Sequence, residues 1–577
     1  MRAEKYGGRN TMARTIPTGE QSFVRLRTDN SFYIDKTKFI KEWWNNRDTV
    51  TLITRPRRFG KTLMLDTVNT FFSPQFAGQS HLFEGLAIWH DEQFRNLQGA
   101  IPVIFLSFAD IKSDNFAGAM EILKTRIILL YKTFAPKETG RFSAAEEELL
   151  AAVCKGMSNE TMQTSLLCLS EYLARKEASK PIILLDEYDT PLHEAWLHGY
   201  WDKLVEFMRG FFNSTFKTNP HLGRGLITGI TRVGKESIFS DMNNLTVAGI
   251  TRNLYADCFG FTEQEVFAAM DEYGLTDKKE AKRWYDGFIF GLAKEMYNPW
   301  SIIEYLRWKE ADSYWAQTSS NALVGELILH GGFDIQEETG RLLQKKSITV
   351  TMDEHIVFSE LYKTPGAIWS LLMAAGYVKP LSRKPASSQY KIALTNFEVY
   401  FILERLISNW FTVDSASTSR FSRALLADDC ATMNDTLDTI AQKTFSFFDA
   451  ANPEPERFYH GFVLGLIVDL KERYEIRSNR ESGKGRYDVA LFPKKAGDRG
   501  IVLEFKTRKE EDKDLQETCD NALKQIGEKG YTTELKAWNV APNNIFVYGF
   551  AFEGKKVLIR GGSYASIDWE NLANKKA

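Results

Sequence analysis

Long apolar runs are missing from this sequence. Its most hydrophobic stretches, such as Ile182–Leu185 and Phe462–Val468, fall far short of the ~20 residues that a membrane-spanning helix needs. Cysteine is sparse too. Cys154, Cys168, Cys258, Cys430 and Cys519 are widely spaced with no C-x-x-C pair, which argues against a zinc site and for a reducing cytoplasm. No charge sign dominates: 73 Lys and Arg face 75 Asp and Glu, so the net charge of −2 gives no global sign of nucleic-acid binding. The first residues are polar and basic without an apolar core segment, so no secretory leader is expected, and Met12 is a candidate alternative start. Internal repeats and low-complexity tracts are lacking. What is present is 44% hydrophobic and 26% charged residues over 577 positions, a globular composition too long for one core, for which three or four domains are expected.

The first half alternates short apolar strands with amphipathic helical stretches, which predicts a parallel α/β sheet. Strands are expected at Val50–Thr54, Pro102–Phe108, Pro181–Asp186, Gly225–Ile230 and Leu245–Ile250, with helices over Ala117–Thr133 and Tyr200–Thr215. From Asn298 to Phe411 the character turns helical and mixed. There a helix over Gly366–Ala375 precedes short strands at Tyr377–Pro380 and Gln389–Leu394, an order that suits a small winged-helix-like unit or plain helical packing. Thr412–Ser422, rich in Ser and Thr, is the expected linker. Strands return at Tyr487–Phe492, Ile501–Lys506 and Asn544–Phe550. The division expected is 1–300, 301–415 and 416–577.

Ile53–Thr62 reads ITRPRRFGKT, an apolar strand end running into a basic loop that closes on Gly60, Lys61 and Thr62. This is the back half of a phosphate-binding loop. Amides of Phe59 to Thr62 suit a β-phosphate, Lys61 supplies charge to the β/γ-phosphates, and the Thr62 hydroxyl reaches Mg2+. Arg57 and Arg58 either serve the phosphates as arginine fingers or contact DNA or solvent. The pattern departs from G-x-x-x-x-G-K-[ST] at its start, where Arg55 replaces the first glycine and Pro56 has no amide to donate. About 125 residues later, IILLDEYD ends an apolar strand in carboxylates. Asp186 fits the Mg2+-holding role and Glu187 the polarisation of an attacking water, with Asp189 as a local cap before Thr190-Pro191. A strand lies between loop and acid in sequence, so an inserted central strand is expected. The strand after the acid then carries a polar residue sensing the γ-phosphate, and Thr231 is placed for it. Arg232 is either an arginine finger or a contact to DNA or solvent.

The blocks IPTGEQSF, FYIDKTKFI, VTLITRPRRFGKT, LLDEYDTPL, LITGITRVGKESIFSDMNNL and WYDGFIFG, in order from Ile16 to about Trp315, resemble the bacterial AAA-ATPase-like family. That resemblance implies an AAA-like P-loop domain of the ASCE class that binds ATP. It also implies tolerance of the substituted first glycine, and commonly a C-terminal PD-(D/E)XK nuclease-type domain.

The C-terminal third carries a second pattern. Asp488 is followed, after fifteen residues, by Glu504-Phe505-Lys506. Residues two apart on a strand share a face, so Glu504 and Lys506 point together while Phe505 enters the core. With Asp488 on the adjacent strand, two carboxylates and the Phe505 carbonyl would hold Mg2+, and Lys506 would orient water or stabilise the pentavalent phosphate. This is similar to the D-x(n)-E-x-K arrangement of PD-(D/E)XK nucleases, which have a restriction-endonuclease-like α/β fold. The resemblance covers about Phe447 to Phe552. It implies a role for Gln525, which often accompanies such a core, and for an opening helix ERFYHGFVLGL whose Glu456 can join the metal site with His460 behind it. Leu470–Lys509 holds twelve Lys and Arg against six Asp and Glu, a surplus that suits phosphate-backbone contact.

Together these features predict an ATP-binding enzyme, an ATPase coupled to a Mg2+-dependent nuclease acting on DNA or RNA. The alternative is a nucleotide-switched signalling or scaffold NTPase whose C-terminal domain only binds nucleic acid. A third reading is a mobile-element or defence protein acting on DNA ends. The sequence leaves the choice of DNA or RNA open, and assembly into a homo-oligomer likewise.

Overall fold

The computed structural model describes residues 13–134, 153, 157–231, 238–239, 242–315, 324–325, 327–328, 333–343, 345–352, 361, 364–384, 387–411, 415–444, 463, 466–467, 470, 472–482, 485–509, 511–554 and 556–574. The chain divides into two compact units, one of residues 1–331 with 338–402 and the other of 332–337 with 403–577.

The first unit is built on a parallel sheet of β1 (Val50–Thr54), β2 (Val103–Ser107), β3 (Ile182–Asp186), β4 (Arg224–Gly229) and β5 (Leu245–Ala248), in the order β2-β3-β4-β1-β5. Strands β1 and β3 are buried along their whole length, which is why VTLIT and IILLD run without polar alternation apart from inward threonines and the terminal acid. The strand separating the loop-bearing β1 from the acid-bearing β3 is β4; β2, the intervening strand in sequence, lies at the edge. The helix Lys61–Phe72 packs Met64, Leu65 and Val68 against Ile53, Ile182, Leu184 and Leu226, so the phosphate-loop turn is anchored at both ends. All five expected strands are present within one or two residues. The expected helices run Phe116–Phe134 and Trp201–Phe212.

Beyond the sheet, a small antiparallel set joins β6 (Phe261–Thr262), β7 (Asp286–Phe290) and β8 (Ala293–Tyr297). It sets Phe288 and Phe290 edge-on to Phe59. The expected helix-then-hairpin order follows as Pro365–Ala375, β10 (Val378–Arg383) and β11 (Gln389–Leu394). A third strand that the sequence did not suggest, β9 (Ile348–Thr351), completes this sheet.

The second unit is a mixed sheet of β12 (Tyr474–Ser482), β13 (Gly485–Pro493), β14 (Gly500–Thr507), β15 (Ile545–Glu553) and β16 (Lys556–Ser563), in sequential order with only β14–β15 parallel. One face packs Val489, Leu491 and Leu503 against Phe421, Leu425 and Leu437. The other packs Ala490, Phe492 and Val502 against Leu523 and Ile526 of the helix Leu515–Lys529. The Ser/Thr-rich stretch expected as a linker is instead helical from Ser415, in the helix Ser415–Ala427. Phe421 and Leu425, four apart, share one buried face, and tertiary packing overrides the loop-like composition. Among the described residues, no helix is long and apolar enough to cross a membrane.

Candidate functional site

The first constellation forms where β1, β3 and β4 end. Gly60 adopts φ +78 and Arg58 φ +66, so two left-handed residues turn the loop into its helix. Lys61 is buried, and its Nζ donates to the carbonyls of Arg55 and Pro56 at 2.9 and 2.8 Å. Burial pushes the Lys61 ammonium down from its ordinary pKa, opposed by the charges of Glu187, Asp189 and Asp186. The Thr62 hydroxyl donates to Asp186 Oδ2 at 2.8 Å, joining loop and acid across 124 residues of sequence. The other Asp186 oxygen accepts from Thr228 of β4 at 2.6 Å. Burial raises the Asp186 carboxyl, and the two hydroxyl donors act against it.

Arg57, Arg58, Lys61, Thr62 and Glu187 line one cavity of about 440 Å³, of the size that takes a small-molecule ligand. Glu187 stands in a left-handed backbone at φ +50, its carboxylate accepting from Thr190 Oγ1 at 3.1 Å. Arg58 lies over the Trp300 ring at 4.2 Å, and Asn298 donates to the Arg57 carbonyl at 3.1 Å.

Two expected roles change. Thr231 is fully buried and absent from the cavity wall, because its hydroxyl donates to Asp189 Oδ2 at 2.9 Å. The β4 residue that reaches the acid is Thr228. Asp189 makes no side-chain bond capping its own helix; its carboxylate is occupied by the end of β4. Arg232 lies outside the described residues. The sequence reading missed His193 and the Ile16–Gln21 segment, which also line the cavity. IPTGEQSF was visible only as a family block, and nothing in its residue types pointed to a ligand.

The missing first glycine has a structural answer. Arg55 is 0% exposed, and its guanidinium donates to Thr54 O and Ala248 O at 2.8 Å each and to Tyr255 O at 3.0 Å. It also lies over Phe290 at 4.8 Å. Burial lowers its pKa to about 10.

The second constellation sits on β13 and β14. Phe505 N donates to Asp488 Oδ2 at 2.8 Å, and Asp488 N approaches Glu504 Oε2 at 3.4 Å. Lys506 Nζ is 3.9 Å from Glu504 Oε1, while Phe505 turns into the core. Gln525 donates to Glu504 Oε1 and, at 3.0 Å, to the hydroxyl of Tyr531, a buried residue that the sequence reading passed over. Asp488, Glu504, Lys506 and Gln525 thus lie together. Glu456 and His460 lie outside the described residues. Two carboxylates offering hard oxygen atoms fit Mg2+, which keeps several of its waters and takes one or two carboxylates from a protein. No group of three or more His, Cys, Asp or Glu residues suited to a metal occurs among the described residues. Some of the basic residues of Leu470–Lys509 are paired, Arg473 with Asp498, Arg477 with Glu475 and Arg508 with Glu553, and of these partners only Glu553 lies outside the segment.

Residues 17–239 match the family model described as Predicted AAA-ATPase, and residues 454–561 match the PD-(D/E)XK nuclease superfamily. A protein of Azotobacter chroococcum mcd 1, described as an uncharacterized protein in the vnfD 5′ region, is 23% identical over 543 residues, covering 90% of this chain and 94% of that one. Among solved structures, the Aeropyrum pernix ORC2 protein in ADPNP–ADP complexes aligns with 64% of this chain and 92% of that one. The identity is 11% and the TM-score 0.22, a likeness too slight to argue from.

Proposed function

From a chain that joins an AAA-ATPase-like domain to a PD-(D/E)XK nuclease superfamily domain, we propose an ATP-hydrolysing protein whose nucleotide state governs Mg2+-dependent cleavage of DNA or RNA phosphodiesters. The observation that carries this reading is that each unit gathers its own acid, lysine and hydroxyl or amide partners from sequence-distant positions into one site.

In the nucleotide site, Lys61 exchanges its two carbonyl partners for phosphate oxygens. Thr62 and Asp186 would hold Mg2+, which supplies charge neutralisation at the phosphates. Glu187, steadied by Thr190, takes a proton from the attacking water, and Arg57 and Arg58 border the phosphates from the loop. In the nuclease site, Asp488 and Glu504 would hold Mg2+, which lowers the pKa of a bound water and offsets charge on the phosphate. Gln525 fixes the Glu504 carboxylate. Lys506 stabilises the added negative charge as water attacks phosphorus and the ester oxygen leaves with a proton.

The test uses full-length protein with Mg2+ or Mn2+, with and without ATP, on single- and double-stranded DNA and RNA. Cleavage should vanish in Asp488→Ala, and its response to ATP should vanish in Lys61→Ala. Absence of cleavage on every substrate refutes the nuclease. A biological effect that depends on Lys61 but survives Asp488→Ala supports instead a nucleotide switch whose C-terminal domain only binds.

A further inference from the structure

The end of β4 is stitched to the acidic turn residue by residue. Thr228 Oγ1 donates to Asp186 and accepts from Glu187 N at 3.3 Å, and Thr228 O accepts from Tyr188 N at 3.0 Å. The Tyr188 hydroxyl donates to Thr231 O at 2.9 Å. Asp189 Oδ2 accepts three donors, Ile230 N at 2.9 Å, Thr231 N at 2.8 Å and Thr231 Oγ1 at 2.9 Å. Asp189 is 1% exposed, so protein donors and not water surround its carboxylate, with His193 Nε2 a further 3.9 Å from the same oxygen. Between the two stitched ends sits Gly229, where a Cβ would stand 2.6 Å from the Tyr188 ring and 2.9 Å from Asp189 Oδ1. The approach is closer than any side chain permits.

This zipper surrounds Glu187. A non-glycine residue in the left-handed region costs about 1–2 kcal/mol, and it persists only where its neighbours enforce it. Thr228 holds the amides on both sides of Glu187, and Asp189 holds the two residues that follow Gly229. The ladder to β1 holds Thr228 and Gly229 from one side, and Asp189 ties down the residues that follow them.

We propose that Asp189 is a positioning residue for ATP hydrolysis, a latch that fixes the end of β4 and thereby holds Glu187 and Thr228 in their working arrangement. The proposal rests on the ATPase reading above. It assigns Asp189 no contact with the nucleotide, and it explains a buried carboxylate that helix capping does not use. Without the latch, Glu187 relaxes to an ordinary backbone and its carboxylate leaves the cavity wall, while Lys61, Gly60 and Thr62 stay in place. Binding and turnover should therefore separate.

The experiment compares full-length wild type, Asp189→Ala and Asp189→Asn. In Asp189→Ala, kcat for ATP should fall about tenfold or more while the Kd of a fluorescent ADP analogue moves less than about threefold. Asp189→Asn should recover most of the rate, because an amide oxygen accepts from the same donors. Hydrogen exchange at Ile230 and Thr231 should rise in Asp189→Ala only. An Asp189→Ala enzyme with wild-type kcat overturns the proposal. So do two variants equally impaired with Kd weakened in step. If wild type binds ATP without turning it over, the ATPase reading fails and exchange alone decides: unchanged protection at Ile230 and Thr231 in Asp189→Ala refutes the latch, and faster exchange supports it.

Discussion

Restoring the consensus glycine at position 55 should damage this protein. Arg55→Gly removes a fully buried guanidinium and leaves the carbonyls of Ala248 and Tyr255 without their charged donor. Each such loss costs about 1–3 kcal/mol. The vacated volume beside Phe259 and Phe290 adds a cavity cost of about 2 kcal/mol, and the glycine backbone about 0.5–1 kcal/mol. Against this, the protein no longer buries a cation. That relief is worth about 3 kcal/mol for a guanidinium whose pKa burial lowers to about 10. A net loss of about 3 kcal/mol is expected, roughly a hundredfold in the folded-to-unfolded ratio. The assay is urea denaturation followed by tryptophan fluorescence, together with calorimetric ADP binding. Arg55→Met, which fills space without donating, should fall between wild type and Arg55→Gly. A glycine variant as stable as wild type, binding ADP equally well or better, would refute the reasoning.

Four further outcomes follow. Lys61→Ala should abolish measurable ATP binding without loss of the first unit's thermal transition, since the lysine's present partners are only two loop carbonyls; calorimetry decides it. Glu398 is fully buried between Ser301 and the Trp315 amide, and burial raises its carboxyl to about 7. Its folded pKa lies above the unfolded value, so its contribution is complete below about pH 4.5 and is lost as pH rises towards 7, leaving a penalty of about 3 kcal/mol above that. Glu398→Gln should flatten this part of the stability profile and raise the melting temperature at pH 8 relative to wild type. Gly229→Ala should destabilise by about 1–3 kcal/mol through the Tyr188 clash, read by thermal unfolding. Chelation with EDTA should stop nucleic-acid cleavage reversibly, and Lys506→Ala should slow it about 10²-fold or more with Mg2+ present.

Much of this was legible in the sequence. Short apolar runs marked all five strands of the first sheet, most plainly β1 and β3, which are buried along their whole length and have no polar alternation to hide them. That Glu504 and Lys506 share a face followed from the two-residue repeat of a strand, and Asp488 was expected beside them through the likeness to the D-x(n)-E-x-K arrangement. Roles that depend on which atom a side chain meets were harder. Thr228 lies in β4 and Thr231 two residues past its end, and only the turn after Gly229 decides that Thr231 faces Asp189 while Thr228 faces Asp186. Arg55 read as a defect for the same reason, since its partners lie far along the chain. The Ser/Thr composition of 412–422 suggested a linker, but the buried pair Phe421 and Leu425 commits it to a helix from Ser415 on.

The partners of Arg55 also bear on how the protein is made. Its side chain closes on Ala248, Leu254 and Tyr255, separated from it by 193, 199 and 200 residues. A nascent chain that has released the phosphate loop but not yet residues 248–255 leaves that guanidinium, of its carbonyl partners, only the one of its neighbour Thr54. The backbone of Arg55 and Pro56 that receives Lys61 is therefore braced from that side only by residues made 193 to 200 positions later, at the end of β5 and just beyond it.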